Sequence, residues 1–153
     1  MEEVANGCTP LHLVTMTGCS EIAHLFLDAG EGKNSATKDG FTPLHHATEK
    51  GHLEVVRLFL LSGVGTDRKT ARGLTALHLA VQHQEVGVVN LLPKSGAHAN
   101  AETDAGETAL HLAIENGCLE MVRLLLASGA HIAPADVDLA RRWPEVQDLL
   151  INL

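Results

Sequence analysis

The chain has 153 residues, 45% of them hydrophobic, and a formal net charge of −8. That acidity, without clustered Lys and Arg, argues against a nucleic-acid footprint, and four aromatic side chains (Phe26, Phe41, Phe59, Trp143) with no Tyr leave no platform for stacked bases. No run approaches the roughly 18 apolar residues of a membrane span, and no basic segment precedes a hydrophobic stretch as in a signal peptide.

Residues 1–5 are too few to form a capping unit of their own. After them, Gly7 supplies a tight turn, and Thr9 stands where a helix begins, its hydroxyl able to cap an orphan N–H. Pro10 follows at the first helical position, where a missing N–H costs nothing. Gly18 stops this short helix, and a second helix runs on to Gly30. The whole pattern then recurs every 33 residues: Thr9-Pro10-Leu11-His12 returns as Thr42-Pro43-Leu44-His45, Thr75-Ala76-Leu77-His78 and Thr108-Ala109-Leu110-His111. Gly40, Gly73 and Gly106 repeat the turn, Gly51 and Gly117 the first stop, and Gly63, Gly96 and Gly129 the second. A fixed period of this length means one small unit stacked on copies of itself.

The third unit departs from the pattern. Gln84 replaces the helix-stop glycine, Gly87 lies inside the second helix and Pro93 near its end. Gly in a helix interior costs about 1 kcal/mol and Pro about 3, so this unit is expected to be the weakest and its second helix distorted. Beyond Ile132, the segment from Asp136 to Leu150 reads as a compressed fifth unit without a hairpin, fit to serve as a C-terminal cap.

These pieces, together with His52-Leu53-Glu54-Val55-Val56 and Ser95-Gly96-Ala97-His98-Ala99-Asn100-Ala101, resemble the ankyrin repeat. The resemblance covers four units, 6–38, 39–71, 72–104 and 105–137, with capping helices at 138–153, all within one domain spanning 1–153. It implies an all-α ankyrin-repeat α-solenoid in which each unit is a helix–turn–helix followed by a β-hairpin finger. It also implies that His12, His45, His78 and His111 hydrogen-bond the Thr hydroxyl and neighbouring backbone, tying units together.

Equivalent residues in such a stack lie one layer apart, so the repeating histidines cannot converge on one ion and no metal site is expected. Cys19 and Cys118 hold the same place in units one and four, three unit spacings apart and beyond the reach of a disulfide; reduced thiols, and hence a cytoplasmic or nuclear setting, are expected. A Thr hydroxyl beside an imidazole four times over reads as a capping network rather than a tuned nucleophile. No catalytic residue and no cofactor is expected.

In proteins of this kind, partners meet the finger tips and the inner helix face. Carried over by position, the tip residues before each Thr include Phe41, Leu74 and Glu107, with Arg72 in a finger turn. The residues ahead of the helix stop include Met16, Glu49, Lys50, Gln82, His83, Glu115 and Asn116. Phe41 and Leu74, apolar on neighbouring tips, are expected to form a small exposed anchor patch; the alternative is that both fold inward. Asn100 and Asn34 occupy the finger position that an asparaginyl hydroxylase can modify in this family, although a structural turn-forming role also fits. The expected function is a monomeric, non-catalytic adaptor or scaffold for a protein partner. The alternatives are a self-contained inhibitor that covers a partner's functional surface, and a non-catalytic part of a larger enzyme.

Overall fold

The computed structural model describes residues 6–30 and 32–153, so the expectation for residues 1–5 lies outside the described residues. The described chain is helical. Its elements pair as α1 (Pro10–Thr17) with α2 (Ser20–Asp28), α3 (Pro43–Glu49) with α4 (Leu53–Leu61), α5 (Ala76–Gln82) with α6 (Val86–Lys94), α7 (Ala109–Glu115) with α8 (Leu119–Ala127), and α9 (Pro134–Ala140) with α10 (Pro144–Ile151). First helices pack on first helices, α1 on α3 through to α7 on α9, and second helices stack in a parallel layer from α2 to α10.

Helices this short have little stability alone and depend on packing of their apolar faces. The Leu of each tetrapeptide supplies one row of that packing: Leu11, Leu44, Leu77 and Leu110 are all buried. A second row, Phe59, Leu92 and Leu125, is fully enclosed between the layers. At the amino-terminal end Leu13 and Ile22 remain 48% and 44% exposed, whereas their equivalents Leu79 and Val55, covered by the preceding unit, are 3% and 1% exposed.

Each finger is a closed turn rather than a pair of strands. Among the described residues the one β-bridge joins Glu102 to Thr108. A buried Thr closes each finger: the Thr37 N–H donates to Phe41 O at 2.8 Å and its hydroxyl accepts from the Phe41 N–H at 3.1 Å, with Thr70–Leu74 and Thr103–Glu107 repeating the pair. Neighbouring fingers are laced together, Lys38 N–H donating to Asn6 O at 3.1 Å and Ala71 N–H to Asp39 O at 2.8 Å. Gly40 sits at this junction with φ +78°, and a Cβ there would come 2.9 Å from Ala71 N. Only glycine satisfies both the turn and the close approach.

Two expectations are corrected. The second helix of unit three is continuous from Val86 through Pro93 to Lys94 and matches α4 and α8 in length. Pro93 lies in the last turn, where the only helical bond it removes is its own to Val89 O, and the buried Val88, Val89 and Leu92 hold the helix in place. Gly87 has a packing role as well, since its missing side chain makes room for Leu53 of α4, 3.2 Å from where a Cβ would stand. The cap also begins earlier than residue 138. With no finger after α8, Ala133 falls directly into the N-cap position and Pro134 opens α9, so this helix crosses the expected 137/138 boundary.

Candidate functional site

The fingers are positioned by histidines beneath them. In unit one the Thr9 N–H donates to His12 Nδ1 at 3.0 Å, and the Thr9 hydroxyl lies 2.8 Å from the same nitrogen. Nδ1 must therefore be the unprotonated nitrogen, which leaves Nε2–H to donate to Phe41 O of the next finger at 3.0 Å. His45 repeats this with Thr42 and Arg68 O, and His78 with Thr75 and Glu107 O. Burial disfavours the charged ring in all three. It lowers the pKa of His12 and His78 and brings that of His45 down to about 4.

His111 breaks the series. Its backbone N–H still bonds the Thr108 hydroxyl at 3.2 Å, but its Nδ1 donates to Asp136 Oδ1 at 2.8 Å instead of accepting from Thr108. Asp136 in turn caps α9 by accepting from the Ala133 N–H at 2.8 Å. A carboxylate from the cap thus replaces the Thr partner, which corrects the expectation for this histidine.

Between the Thr70–Leu74 and Thr103–Glu107 fingers lies a groove of about 310 Å³ lined by Ala71, Arg72, Leu74, Gln82, Thr103, Asp104, Ala105 and Glu107. It gathers Arg72, Leu74, Gln82 and Glu107 from the expected binding residues into one concavity. The exposed His83, Glu115 and Asn116 lie on the neighbouring first-helix ends, and Met16, Glu49 and Lys50 on the ends of α1 and α3.

The anticipated Phe41–Leu74 anchor patch does not form. Leu74 is only 6% exposed and lines the groove, its backbone N–H donating to the Thr70 hydroxyl at 3.2 Å. Phe41 is half-buried, its ring stacked on His46 with centroids 5.2 Å apart. Both side chains turn inward because an apolar tip gains more by covering the first-helix layer than by facing water.

Asn34 and Asn100 bond the next unit rather than their own turn. Asn34 Oδ1 accepts from the Gly65 N–H at 3.1 Å, and Asn100 Oδ1 from the His131 N–H at 2.7 Å, while Asn100 Nδ2 donates to Gly129 O at 3.0 Å. Asp67 holds the His98 N–H at 2.8 Å in the same way. The residues missed from the sequence are Thr37, Thr70 and Thr103, which shape the fingers; their own 33-residue spacing was the available signal.

A family model described as ankyrin repeats in three copies matches residues 1–70 and 58–136. The chain belongs to the ankyrin-repeat family. No curated protein matches it. Modules of this family are generally protein–protein interaction elements, and the array here has the corresponding build: a helical stack presenting fingers and first-helix ends. Among the described residues no helix is long and apolar enough to cross a membrane.

Proposed function

We propose that this ankyrin array is a non-catalytic recognition module, acting as an adaptor or scaffold that holds a protein partner against its fingers and first-helix ends. The observation that carries this reading is the groove beside Leu74, where Arg72 and Leu74 from one finger, Gln82 from α5 and Glu107 from the next finger converge on one surface. Its walls are fixed by the histidine bonds beneath them, so little ordering cost opposes association. The binding residues are Arg72, Gln82, Glu107 and the edge of Leu74, with His83, Glu115 and Asn116 at the rim.

The test is a paired capture from cell lysate, read by quantitative mass spectrometry, with the chain as given and with Arg72→Ala/Gln82→Ala as baits. A protein enriched by the first and lost from the second supports the reading; equal enrichment by both refutes the site. Hydroxylation at Asn100 or Asn34 is proposed only with release of the amide bonds to the next unit. Absence of an added oxygen on the Asn100 peptide after incubation with an asparaginyl hydroxylase removes that proposal.

A further inference from the structure

Resting on the recognition reading above, we propose that the groove between the Thr70–Leu74 and Thr103–Glu107 fingers takes a basic segment of the partner. One Lys or Arg side chain lays its methylene stem along Leu74 and sets its charged head against the carboxylates of Asp104 and Glu107.

The floor argues for a long cationic side chain rather than a bulky apolar one. Leu74, at 6% exposure, offers an edge and not a socket, and the space of about 310 Å³ suits an extended side chain with a few backbone atoms. Amphipathic stems are suited to such a strip, since Lys and Arg cover apolar surface while keeping the head among polar partners.

The walls argue for the sign of the charge. Asp104 and Glu107 stand on one finger and Glu115 ends the first helix beside it, whereas Arg72 on the neighbouring finger is the single strong cation of the groove. Among the described residues none of these four takes part in an ion pair. Another hollow, of about 450 Å³ beside Leu25 and Leu58, differs on this point. There Glu54 is paired with Arg57 at 3.7 Å, and Glu21 accepts from the Ser20 hydroxyl at 3.4 Å and the Cys19 thiol at 3.5 Å. Unpaired carboxylates in a concavity with a low-dielectric wall focus a negative potential and draw in cations. Arg72 then has donors to spare for a backbone carbonyl or carboxylate of the same segment.

The experiment pans a random peptide library displayed on phage against the full chain, then titrates fluorescein-labelled copies of the enriched peptides. The expected peptides carry Lys or Arg next to an apolar residue. Their affinity drops at least about tenfold with Asp104→Asn/Glu107→Gln, stays put with Glu120→Gln on α8, and weakens as salt is raised. Circular dichroism and thermal melts confirm that each variant is folded. Basic peptides whose affinity ignores the Asp104/Glu107 pair overturn the proposal. Neutral or acidic peptides that are lost on Arg72→Ala/Gln82→Ala also overturn it, while leaving the recognition reading intact. Peptides indifferent to every groove substitution, or no enrichment at all, count against both.

Discussion

His78 of the third unit donates through Nε2 to the carbonyl of Glu107 on the following finger, at 3.1 Å. One imidazole thus links the capping of its own helix, through the Thr75 N–H at 3.2 Å, to the placement of a residue that lines the recognition groove. Fold and site are coupled here by a single buried side chain, 1% exposed. His78→Ala leaves the Thr75 N–H without its partner, takes one of two donors from the Glu107 carbonyl and opens a void. The expected loss is roughly 3 kcal/mol of stability, measured by urea unfolding, together with weaker partner binding than for a variant of equal stability altered in α8.

Acid should weaken the array before its carboxylates titrate. An unfolded His binds its proton near pH 6.5, whereas His45 in the fold holds out to about 4, and His12 and His78 are lowered in the same direction. Between those values the unfolded chain carries more protons, so falling pH favours unfolding. The stability these histidines confer is complete above pH 6.5 and is lost progressively as pH falls toward 4. For His45 alone that loss reaches about 3 kcal/mol. Urea midpoints at pH 7.5 and pH 5 should differ accordingly; equal midpoints would show that the rings are free to protonate in place.

Thr48 is fully buried on α3, and among the described residues its hydroxyl has no hydrogen-bond partner. Units three and four carry Val81 and Ile114 at the equivalent position, both fully buried. In unit one Thr15 solves the same problem by donating to His12 O at 2.8 Å. Thr48→Val keeps the shape and removes the unsatisfied hydroxyl, so it should stabilise by about 1 kcal/mol. A lowered urea midpoint would mean that the hydroxyl is bonded after all.

Gln84 ends α5 at φ +58°, the left-handed region that Gly18, Gly51 and Gly117 occupy in the other units. Those glycines lie under the first residue of the next unit's second-helix turn: a Cβ on Gly18 would stand 2.7 Å from the His52 ring, and one on Gly117 2.6 Å from Trp143. The residue in that place after Gln84 is Cys118, a smaller neighbour that relaxes the demand for glycine. The backbone cost remains, so Gln84→Gly should raise stability by about 1 kcal/mol, read from thermal melts. No change would mean that the Gln84 side chain recovers the cost through contacts of its own.

Much of the stack was legible because its rules are local and repeat. The Thr N-caps, the prolines at the first helical position and the stop glycines each mark a helix end by its own backbone chemistry, and the period sets their spacing in the array. The cap was harder to read. Ala133 cannot cap with its own side chain, and the work passes to Asp136, whose role depends on His111, 25 residues earlier. The site was only half legible. Position in the repeat identified Arg72, Gln82 and Glu107 as neighbours of a shared surface, but whether Phe41 and Leu74 point out or in depends on what lies beneath them. For Phe41 that is His46, where units three and four have Leu79 and Leu112. Pro93 misled because the cost of a helical proline depends on how near the end it falls, and a helix end shifted by one residue changes the answer.

The most direct test of the account places a photo-crosslinking amino acid at Gln82, in the groove, and separately at Arg123, exposed on α8 of the opposite layer. Each variant is irradiated in cell lysate. Recognition through the fingers predicts a discrete cross-linked protein from position 82 that is absent from position 123. Cross-links to that protein from Arg123 but not Gln82 would place the partner on the second helices and contradict the account.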